Sequence, residues 1–246
     1  MPTDDRPTAL VTGATAGIGR EFARRLAADG HRIIAVARNE DRLRALTSEL
    51  GPAHTYVAAD LAAPEGLART TRTLAERRVH LLVNNAGTAT GGPFADRPLD
   101  RTEEMLRLNV HAPVALAHAF LARARPGDAL LNVSSTLAYA PLPGLGVYSA
   151  TKAFVASFSE ALWAEHKDSG VYVLGLCPGM TATESQPHTD APAALVQTPA
   201  EVVTTALAAL RRRARPTVVP GTGNRILATL VRALPRRTVL AALARG

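Results

Sequence analysis

The sequence predicts an α/β protein built on a doubly wound parallel sheet in a single domain. Short apolar, β-branched segments of strand length recur along the chain, and each is followed by a stretch with helical spacing of its apolar residues. This alternation is typical of βαβ units, in which a helix crosses the sheet between two parallel strands. The length of 246 residues fits one domain of this class, because α/β folds of this size commonly form a single unit.

These patterns predict seven strands and the helices between them. The strands are expected at 9–12, 32–37, 55–58, 81–83, 129–133, 171–176 and 217–219. The first helix is expected over 18–28, because Ile18, Phe22 and Leu26 recur every four residues and Asp29-Gly30 follows as a stop signal. The other helices are expected at 41–50, 65–77, 102–122, 150–167 and 199–213. Pro/Gly clusters predict loops, and the loop 178–198 is long enough to be a candidate lid.

Composition excludes several classes of protein. The chain is 47% hydrophobic and 20% charged, which is typical of a soluble globular protein rather than a disordered or fibrous one. A single cysteine, Cys177, excludes an internal disulfide framework and favours a reducing compartment. No apolar run reaches the length of about 18 residues that a membrane span needs, and the first residues lack an apolar signal segment. We therefore expect a cytoplasmic location.

The net charge of +7 is concentrated at the end of the chain. No Asp or Glu follows Glu201, whereas nine Arg do, and residues 1–201 carry 19 basic against 21 acidic side chains. Because the basicity is confined to the C-terminal part and no nucleic-acid motif accompanies it, we expect no nucleic-acid partner.

The last residues, 223–246, form a basic amphipathic tail that we assign to the same domain as residues 1–222. Apolar residues recur there at helical spacing on both sides of Pro235, which breaks the helix: Ile226, Leu227, Leu230, Val231 and Leu234 precede it, and Val239, Leu240 and Leu243 follow it. The favoured interpretation is that this stripe packs over a substrate cleft or against a second subunit. The alternative is peripheral contact with an anionic membrane surface.

A glycine-rich turn follows the first predicted strand. It reads Thr12-Gly13-Ala14-Thr15-Ala16-Gly17-Ile18-Gly19, with Gly-x3-Gly-x-Gly spacing rather than the commoner Gly-x-Gly-x2-Gly. Gly13 allows a tight turn, Gly17 lets the backbone approach a pyrophosphate, and Gly19 lets the helix pack closely. Such glycines also serve purely structural turns. The position at the start of a helix nevertheless predicts dinucleotide contacts from Gly13, Thr15, Ala16, Gly17, Ile18 and Gly19.

The end of the second predicted strand bears on the choice of dinucleotide. A site selective for NAD needs a carboxylate there to accept the ribose hydroxyls, but the sequence has Ala37 followed by Arg38. An arginine suits bidentate binding of a 2′-phosphate, so NADPH/NADP is the predicted cofactor. The alternative is that Arg38 is a solvated residue at a helix start.

Polar residues follow the next three predicted strands, namely Asp60-Leu61, Asn84-Asn85-Ala86-Gly87 and Asn132-Val133-Ser134-Ser135. Each set is compatible with turn formation alone. However, ligands of open α/β sheets bind outside the carboxyl ends of the strands, where these sets lie together. Tyr148 and Lys152 then stand at i and i+4, on one face of a helix.

Together, the segments Thr-Gly-x3-Gly-Ile-Gly, Asn-Asn-Ala-Gly and Tyr-x3-Lys resemble the short-chain dehydrogenase/reductase family in order and spacing, over about residues 8–219. The resemblance implies the strand order 3-2-1-4-5-6-7, hydride transfer on the B face of the nicotinamide, and a homodimer or homotetramer. It assigns catalytic roles to Ser135, Tyr148, Lys152 and Asn109, the last as a helix-bending residue that holds a relay water. Cofactor contacts are further implied for Asp60, Leu61, Asn85, Ala86, Gly87, Tyr148, Lys152, Pro178, Gly179, Thr181 and Thr183.

The chemistry of these side chains predicts an NADPH-dependent carbonyl reductase, or the reverse alcohol dehydrogenase. Reduction of a ketone leaves an alkoxide that Tyr148 can protonate, while Lys152 favours the phenolate and Ser135 hydrogen-bonds the substrate oxygen. The expected cleft walls, 88–94, 136–145 and 180–195, are small and apolar, which favours a hydrophobic small-molecule or acyl-type substrate. The histidines show no metal-ligand spacing, so no metal is expected. The alternative function is a non-catalytic dinucleotide sensor or scaffold on the same fold.

Overall fold

A computed structural model describes residues 6–182 and 195–243 of the chain. Its centre is a parallel sheet of seven strands in the order β3-β2-β1-β4-β5-β6-β7, so the predicted fold class and strand order are confirmed. The strands are β1 (Thr8–Thr12), β2 (Arg32–Ala37), β3 (Thr55–Ala58), β4 (Leu81–Asn84), β5 (Ala129–Val133), β6 (Tyr172–Leu176) and β7 (Thr217–Val218).

Helices connect the strands and follow the last one. They are α1 (Gly17–Ala28), α2 (Glu40–Leu50), α3 (Pro64–Glu76), α4 (Leu99–Leu106), α5 (Ala112–Leu121), α6 (Gly146–Glu165), α7 (Pro199–Arg212), α8 (Thr222–Ala233) and α9 (Arg236–Leu243). Local signals set several boundaries. The side chain of Asn39 accepts a hydrogen bond from the N–H of Arg42 at the start of α2, and Thr198 and Glu201 form a capping box at the start of α7.

The sheet is buried on both faces, which explains the continuous apolar character of its central strands. On one face, α1, α2 and α7 pack through Phe22, Leu43 and Val203. On the other, α3, α5 and α6 pack through Leu74, Phe120 and Leu162. The helices thus cover the two faces and leave the carboxyl ends of the strands as the place for a ligand.

Two predicted helices differ from the observed ones. The single helix expected over 102–122 is interrupted by a π-helical turn at Arg107–His111, which separates α4 from α5. The apolar spacing continues on both sides of this turn, so the periodicity does not reveal the extra residue. The helix expected over 150–167 begins earlier, at Gly146, so that α6 includes Tyr148.

The long loop 178–198 is described only at its two ends. Thr181 pairs with Gln197 in a short parallel bridge, with hydrogen bonds from Ala182 N–H to the Gln197 carbonyl and from Gln197 N–H to the Met180 carbonyl, both of 2.9 Å. The proposed lid residues 183–194, including Thr183, lie outside the described residues. The tail forms α8 and α9 on either side of Pro235. Within 6–182 and 195–243, no helix is long and apolar enough to cross a membrane.

Candidate active site

A cleft of about 560 Å³ lies at the carboxyl ends of the strands. It brings together residues that the sequence separates by more than 160 positions, from Gly13 to Thr181. Most of the predicted site residues line it: Gly13, Thr15, Ala16, Gly17, Ile18, Arg38, Asp60, Leu61, Asn85, Ala86, Gly87, Ser135, Tyr148, Lys152, Pro178, Gly179 and Thr181. Gly19 and Asn109 are not in the cleft wall.

The glycine turn requires its glycines for two different reasons. Gly13 and Gly17 have φ angles of 65° and 49°, in the left-handed region that side chains with a Cβ rarely adopt. Gly19 lies in α1, where a Cβ would stand 2.2 Å from the carbonyl oxygen of Gly13. The helix can therefore approach its own preceding turn, which leaves its N-terminal N–H groups directed at the cleft.

A threonine fastens this turn to the neighbouring strand end. The Thr12 hydroxyl oxygen accepts hydrogen bonds from the N–H groups of Asn85 and Ala86, both at 2.9 Å, and the Asn85 amide donates to the Thr12 carbonyl at 2.9 Å. Sequence reasoning gave Thr12 no role, although it begins the glycine motif. Its position at the end of a central strand, beside β4, is the signal that points to it.

The two asparagines after β4 point in different directions. Asn85 faces the glycine turn, whereas the Asn84 amide donates to the Asn132 side chain at 3.0 Å, and Asn132 donates to the Ser159 hydroxyl at 3.0 Å. All three of these side chains are buried in the core. Asn84 and Asn132 therefore serve packing between β4, β5 and α6, and Asn85 belongs to the cleft.

Arg38 lies at the rim of the cleft and is exposed. Its guanidinium is 3.8 Å from a carboxylate oxygen of Glu104 in α4. Arg42, in the first turn of α2, also lines the cleft and was not predicted. Its position at the start of the helix that follows β2 was the available signal. The part of the rim beside β2 thus has two arginines. None of the residues of α2 that line the cleft there carries a carboxylate.

Ser135, Tyr148 and Lys152 meet at the inner part of the cleft. The Tyr148 and Ser135 side chains both belong to residues that line the cleft, and the Lys152 ammonium lies 5.6 Å from the centre of the Tyr148 ring. Lys152 donates a hydrogen bond to the Val133 carbonyl at 3.0 Å. Ser134 instead turns away and donates to the Lys152 carbonyl at 2.6 Å, where it is buried.

Burial controls the ionisation of this group. Desolvation raises the pKa of Tyr148, and the hydrogen bond from Ser135 opposes the rise. Desolvation also lowers the pKa of Lys152 to about 8. The net rise in its pKa keeps Tyr148 protonated at neutral pH, the state in which a phenol can donate a proton.

Asn109 sits in the π-helical turn and holds the loop after β4. Its side-chain oxygen accepts from the Thr88 N–H at 2.9 Å, and its amide donates to the Thr88 carbonyl at 2.8 Å and to the Thr151 hydroxyl at 3.2 Å. The side chain thus pairs with a backbone segment as a neighbouring strand would. Thr88 itself lines the cleft, so Asn109 positions part of the cleft wall from behind.

Comparison with known proteins agrees with this geometry. The sequence model of the short chain dehydrogenase family matches residues 7–193. The chain belongs to this family. Among curated relatives, a serine 3-dehydrogenase of Rhizobium radiobacter is 37% identical over 182 residues, which cover 72% of this chain and 73% of the relative.

Solved structures of other short-chain dehydrogenases superpose on most of this one. A short-chain dehydrogenase from Sphingobium yanoikuyae in complex with NADPH has a TM-score of 0.80 and 35% identity, covering 91% of this chain and 92% of that one. The bulky-bulky ketone specific alcohol dehydrogenase from Comamonas testosteroni has a TM-score of 0.79 and 31% identity, with 92% of each chain covered. The family and the fold therefore identify this short-chain dehydrogenase as an oxidoreductase acting on alcohol or carbonyl groups.

Cys177 contributes packing rather than chemistry to this short-chain dehydrogenase. The thiol is fully buried, burial raises its pKa, and its sulfur lies 3.4 Å from the Tyr139 hydroxyl oxygen. A buried thiol held in its protonated form is a poor nucleophile. Across the described ranges, His, Cys, Asp and Glu side chains form no group of three that could hold a metal ion.

Proposed function

We propose that the protein is an NADPH-dependent oxidoreductase that reduces the ketone of a hydrophobic small molecule, or oxidises the corresponding secondary alcohol. The observation that carries this proposal is that Ser135, Tyr148 and the buried Lys152 line the same cleft as the glycine turn. Carbonyl reduction needs a proton donor next to a dinucleotide-binding site, and this cleft contains residues suited to both.

The residues of the cleft fit a dinucleotide. The left-handed glycines Gly13 and Gly17 bring bare backbone to the cleft, and the start of α1 adds N–H groups suited to the pyrophosphate. Asp60, Leu61 and Ala86 would flank the adenosine half, and Pro178, Gly179 and Thr181 the nicotinamide half. Thr183 is assigned to the nicotinamide half by the family pattern alone. When bound, NADPH supplies the hydride that reduces the carbonyl carbon.

Selectivity for NADPH rests on the arginines at the end of β2. Arg38 and Arg42 line the cleft, whereas Glu40 and Asp41 between them do not, so the cleft lining at this strand end offers no carboxylate to a ribose 2′-hydroxyl. A guanidinium instead binds a phosphate through two parallel hydrogen bonds. The NADPH complex of the Sphingobium yanoikuyae relative supports the same preference.

Tyr148 is the proposed proton donor. Reduction places negative charge on the substrate oxygen, and the phenol, kept protonated by burial, delivers a proton to that oxygen as the charge develops. Ser135 donates a hydrogen bond to the same oxygen and stabilises the charge before the proton arrives. In the reverse direction, Tyr148 must first lose its proton and then accept one from the alcohol.

Lys152 and Asn109 support this proton transfer through their contacts with Tyr148 and with the cleft wall. The ammonium beside the Tyr148 ring stabilises the phenolate that remains after each reduction. Lys152 also has donors to spare for a ribose hydroxyl, because Val133 occupies one of its three hydrogens. Asn109 acts through Thr88, and the π-helical turn around it is the proposed place for the relay water.

The proposed substrate class follows from the cleft walls. Of the expected wall segments, Thr88, Ala89 and Thr181 line the cleft, and Met180 beside Thr181 is exposed. These uncharged side chains favour a hydrophobic ketone over a phosphorylated or anionic substrate. The bulky-ketone alcohol dehydrogenase among the structural relatives supports this class.

A panel of hydrophobic ketones, assayed by loss of NADPH absorbance and by identification of the alcohol product, tests the proposal. We expect turnover with at least one bulky aliphatic or aromatic ketone, and a preference for NADPH over NADH. Tight NADPH binding without turnover on any carbonyl compound would favour the alternative, a non-catalytic dinucleotide sensor or scaffold.

Two further expectations belong to this proposal. Homodimer or homotetramer formation can be measured by light scattering on the purified protein. A cytoplasmic location rests on the lone buried Cys177 and can be checked by fractionation of the source cells.

A further inference from the structure

Helix α8 carries an apolar stripe on the side that faces away from the protein body. The stripe consists of Ile226, Leu227 and Leu230, together with Leu234, which directly follows α8. These four side chains are 45–57% exposed. The opposite side of the helix packs through Asn224 and Ala228, which are buried. The helix is therefore amphipathic in an unusual sense, since its largest apolar side chains point outward.

The arginines of α8 lie on the far side of the helix from this stripe. Arg225 and Arg232 are seven residues apart, two helical turns, so they form a row along one edge of α8, and Arg236 and Arg237 follow at the start of α9. No Asp or Glu occurs after Glu201, so no carboxylate of the tail neutralises this row. The tail therefore combines exposed leucines and isoleucine on one side of α8 with positive charge on the other.

This charge pattern decides between two kinds of partner. A second copy that docked its own tail here would bring the same five Arg of residues 223–246 and no carboxylate, so the contact would oppose like charges. An anionic lipid surface matches both features, because its phosphates attract the guanidiniums and its acyl chains accept the apolar side chains. We propose that α8 is an interfacial helix that binds this enzyme to anionic membrane surfaces.

Three contacts join α8 and the start of α9 to the rest of the protein. The Asn224 amide donates to the Leu195 carbonyl at 3.2 Å, Arg236 donates to the Tyr139 carbonyl at 2.8 Å, and the Arg232 guanidinium lies 4.9 Å from the centre of the Tyr139 ring. Tyr139 closes the turn that begins at Ser135. A membrane-bound α8 thus places the cleft side of the protein near the lipid, where a hydrophobic ketone of the proposed function dissolves. Only this last consequence rests on the proposed function.

Cosedimentation of the full-length protein with vesicles tests the proposal. The vesicles are phosphatidylcholine alone or with about one-third phosphatidylglycerol, at low and high salt. We expect binding to the anionic vesicles that is at least about tenfold stronger than to the neutral ones and that high salt weakens.

Two double variants separate the apolar and the electrostatic contributions. Ile226→Ser with Leu230→Ser removes the centre of the stripe, and Arg225→Gln with Arg237→Gln removes charge without touching the Tyr139 contacts. We expect each to weaken binding to anionic vesicles by about tenfold or more. Because all four positions are exposed, the folded structure should persist, which circular dichroism can verify.

Matched controls change similar residues elsewhere on the surface. Phe94→Ser with Leu99→Ser removes apolar side chains that are 71% and 66% exposed, and Arg123→Gln with Arg125→Gln removes two exposed charges. Neither should change vesicle binding. Equal binding to both vesicle types, or equal losses in the controls, would overturn the proposal. The proposal would also be overturned if the serine double variant bound vesicles normally but sedimented as a smaller oligomer than wild type. That result would show that a second copy of the chain covers the stripe.

Discussion

Tyr148 and Lys152 illustrate how one helical turn sets the chemistry of a single residue. The spacing of four residues places the ammonium beside the phenol ring, at 5.6 Å from its centre, and burial acts on both groups at once. Burial keeps the phenol protonated and makes the lysine easier to deprotonate. Both effects follow from the position of α6 under the cleft rather than from the side chains alone.

Replacing Tyr148 by Phe removes the proposed proton donor and little else. We expect the rate of ketone reduction to fall by at least about a hundredfold, because general acid catalysis contributes on this scale. The affinity for NADPH, measured by fluorescence titration, should remain within about threefold of wild type, because the interaction operates in the transition state. A Tyr148→Phe enzyme that retains wild-type turnover would contradict the assignment.

Arg38 should decide the choice of dinucleotide. Loss of a charge-assisted hydrogen bond to a 2′-phosphate costs roughly 1.5–3 kcal/mol, or about ten- to a hundredfold in affinity. Arg38→Ala should therefore raise the Kd for NADPH by this factor and leave the Kd for NADH nearly unchanged. Arg101→Ala is the matched control, since Arg101 is similarly exposed and pairs with the same Glu104. A wild-type preference for NADH would show that Arg38 has another role.

The lowered pKa of Lys152 has a consequence for stability. Folding moves this pKa from 10.5 to about 8, so between these values the unfolded chain binds more protons than the folded one, and stability rises with pH. Relative to Lys152→Met, the wild-type free energy of unfolding should increase by about 2 kcal/mol between pH 7 and pH 10. Urea unfolding without added nucleotide measures this difference.

Lys167→Met provides the control for this titration, because Lys167 is exposed just beyond the end of α6. It should show no comparable change relative to wild type. A difference between wild type and Lys152→Met that stays constant across this pH range would mean that burial does not lower the Lys152 pKa.

At the scale of elements, the packing of α1 against its own turn depends on Gly19. A methyl group there would meet the Gly13 carbonyl oxygen at 2.2 Å and the Asn85 amide nitrogen at 2.4 Å, so the turn or the helix must shift. We expect Gly19→Ala to reduce stability by about 1–3 kcal/mol and to weaken NADPH binding.

Gly146→Ala is the matched control for Gly19→Ala. Gly146 begins α6, has ordinary φ and no neighbouring atom within 4 Å of a Cβ, so alanine should leave stability unchanged or slightly higher. Thermal unfolding of the two variants compares them directly. Equal stability of Gly19→Ala and wild type would show that the glycine turn and α1 can move apart without loss of stability.

The sequence predicts those elements whose signals are local. The strand positions follow from short continuous apolar runs and the Tyr148–Lys152 register from a spacing of four residues, so both can be found without a structure. The π-helical turn at Asn109 cannot, because the apolar pattern is the same on both sides of it. The separate roles of Asn84 and Asn85 depend on which face of β4 meets the core, and the exposure of the α8 stripe depends on packing between distant segments.

At the scale of the whole molecule, the two ends of the sheet serve different purposes. The carboxyl ends of the strands form the cleft. At the opposite end, Asp128 is buried and binds both guanidinium nitrogens of Arg78, at 2.7 and 2.8 Å, and also accepts the Arg125 N–H at 2.7 Å. This pair ties the entry of β5 to the segment before β4. This ion pair, which stabilises the fold, thus lies at the amino ends of the strands, and the cleft lies at their carboxyl ends.

The fate of the hydride from the cofactor tests the central claim most directly. With NADPH that carries deuterium on the B face of nicotinamide C4, we expect the alcohol produced from a bulky ketone to contain one deuterium at the carbinol carbon, as measured by mass spectrometry. Tyr148→Phe should form almost none of this product in the same time. Unlabelled alcohol, or deuterium that stays on the nicotinamide while ketone is consumed, would contradict hydride transfer on the B face in this cleft.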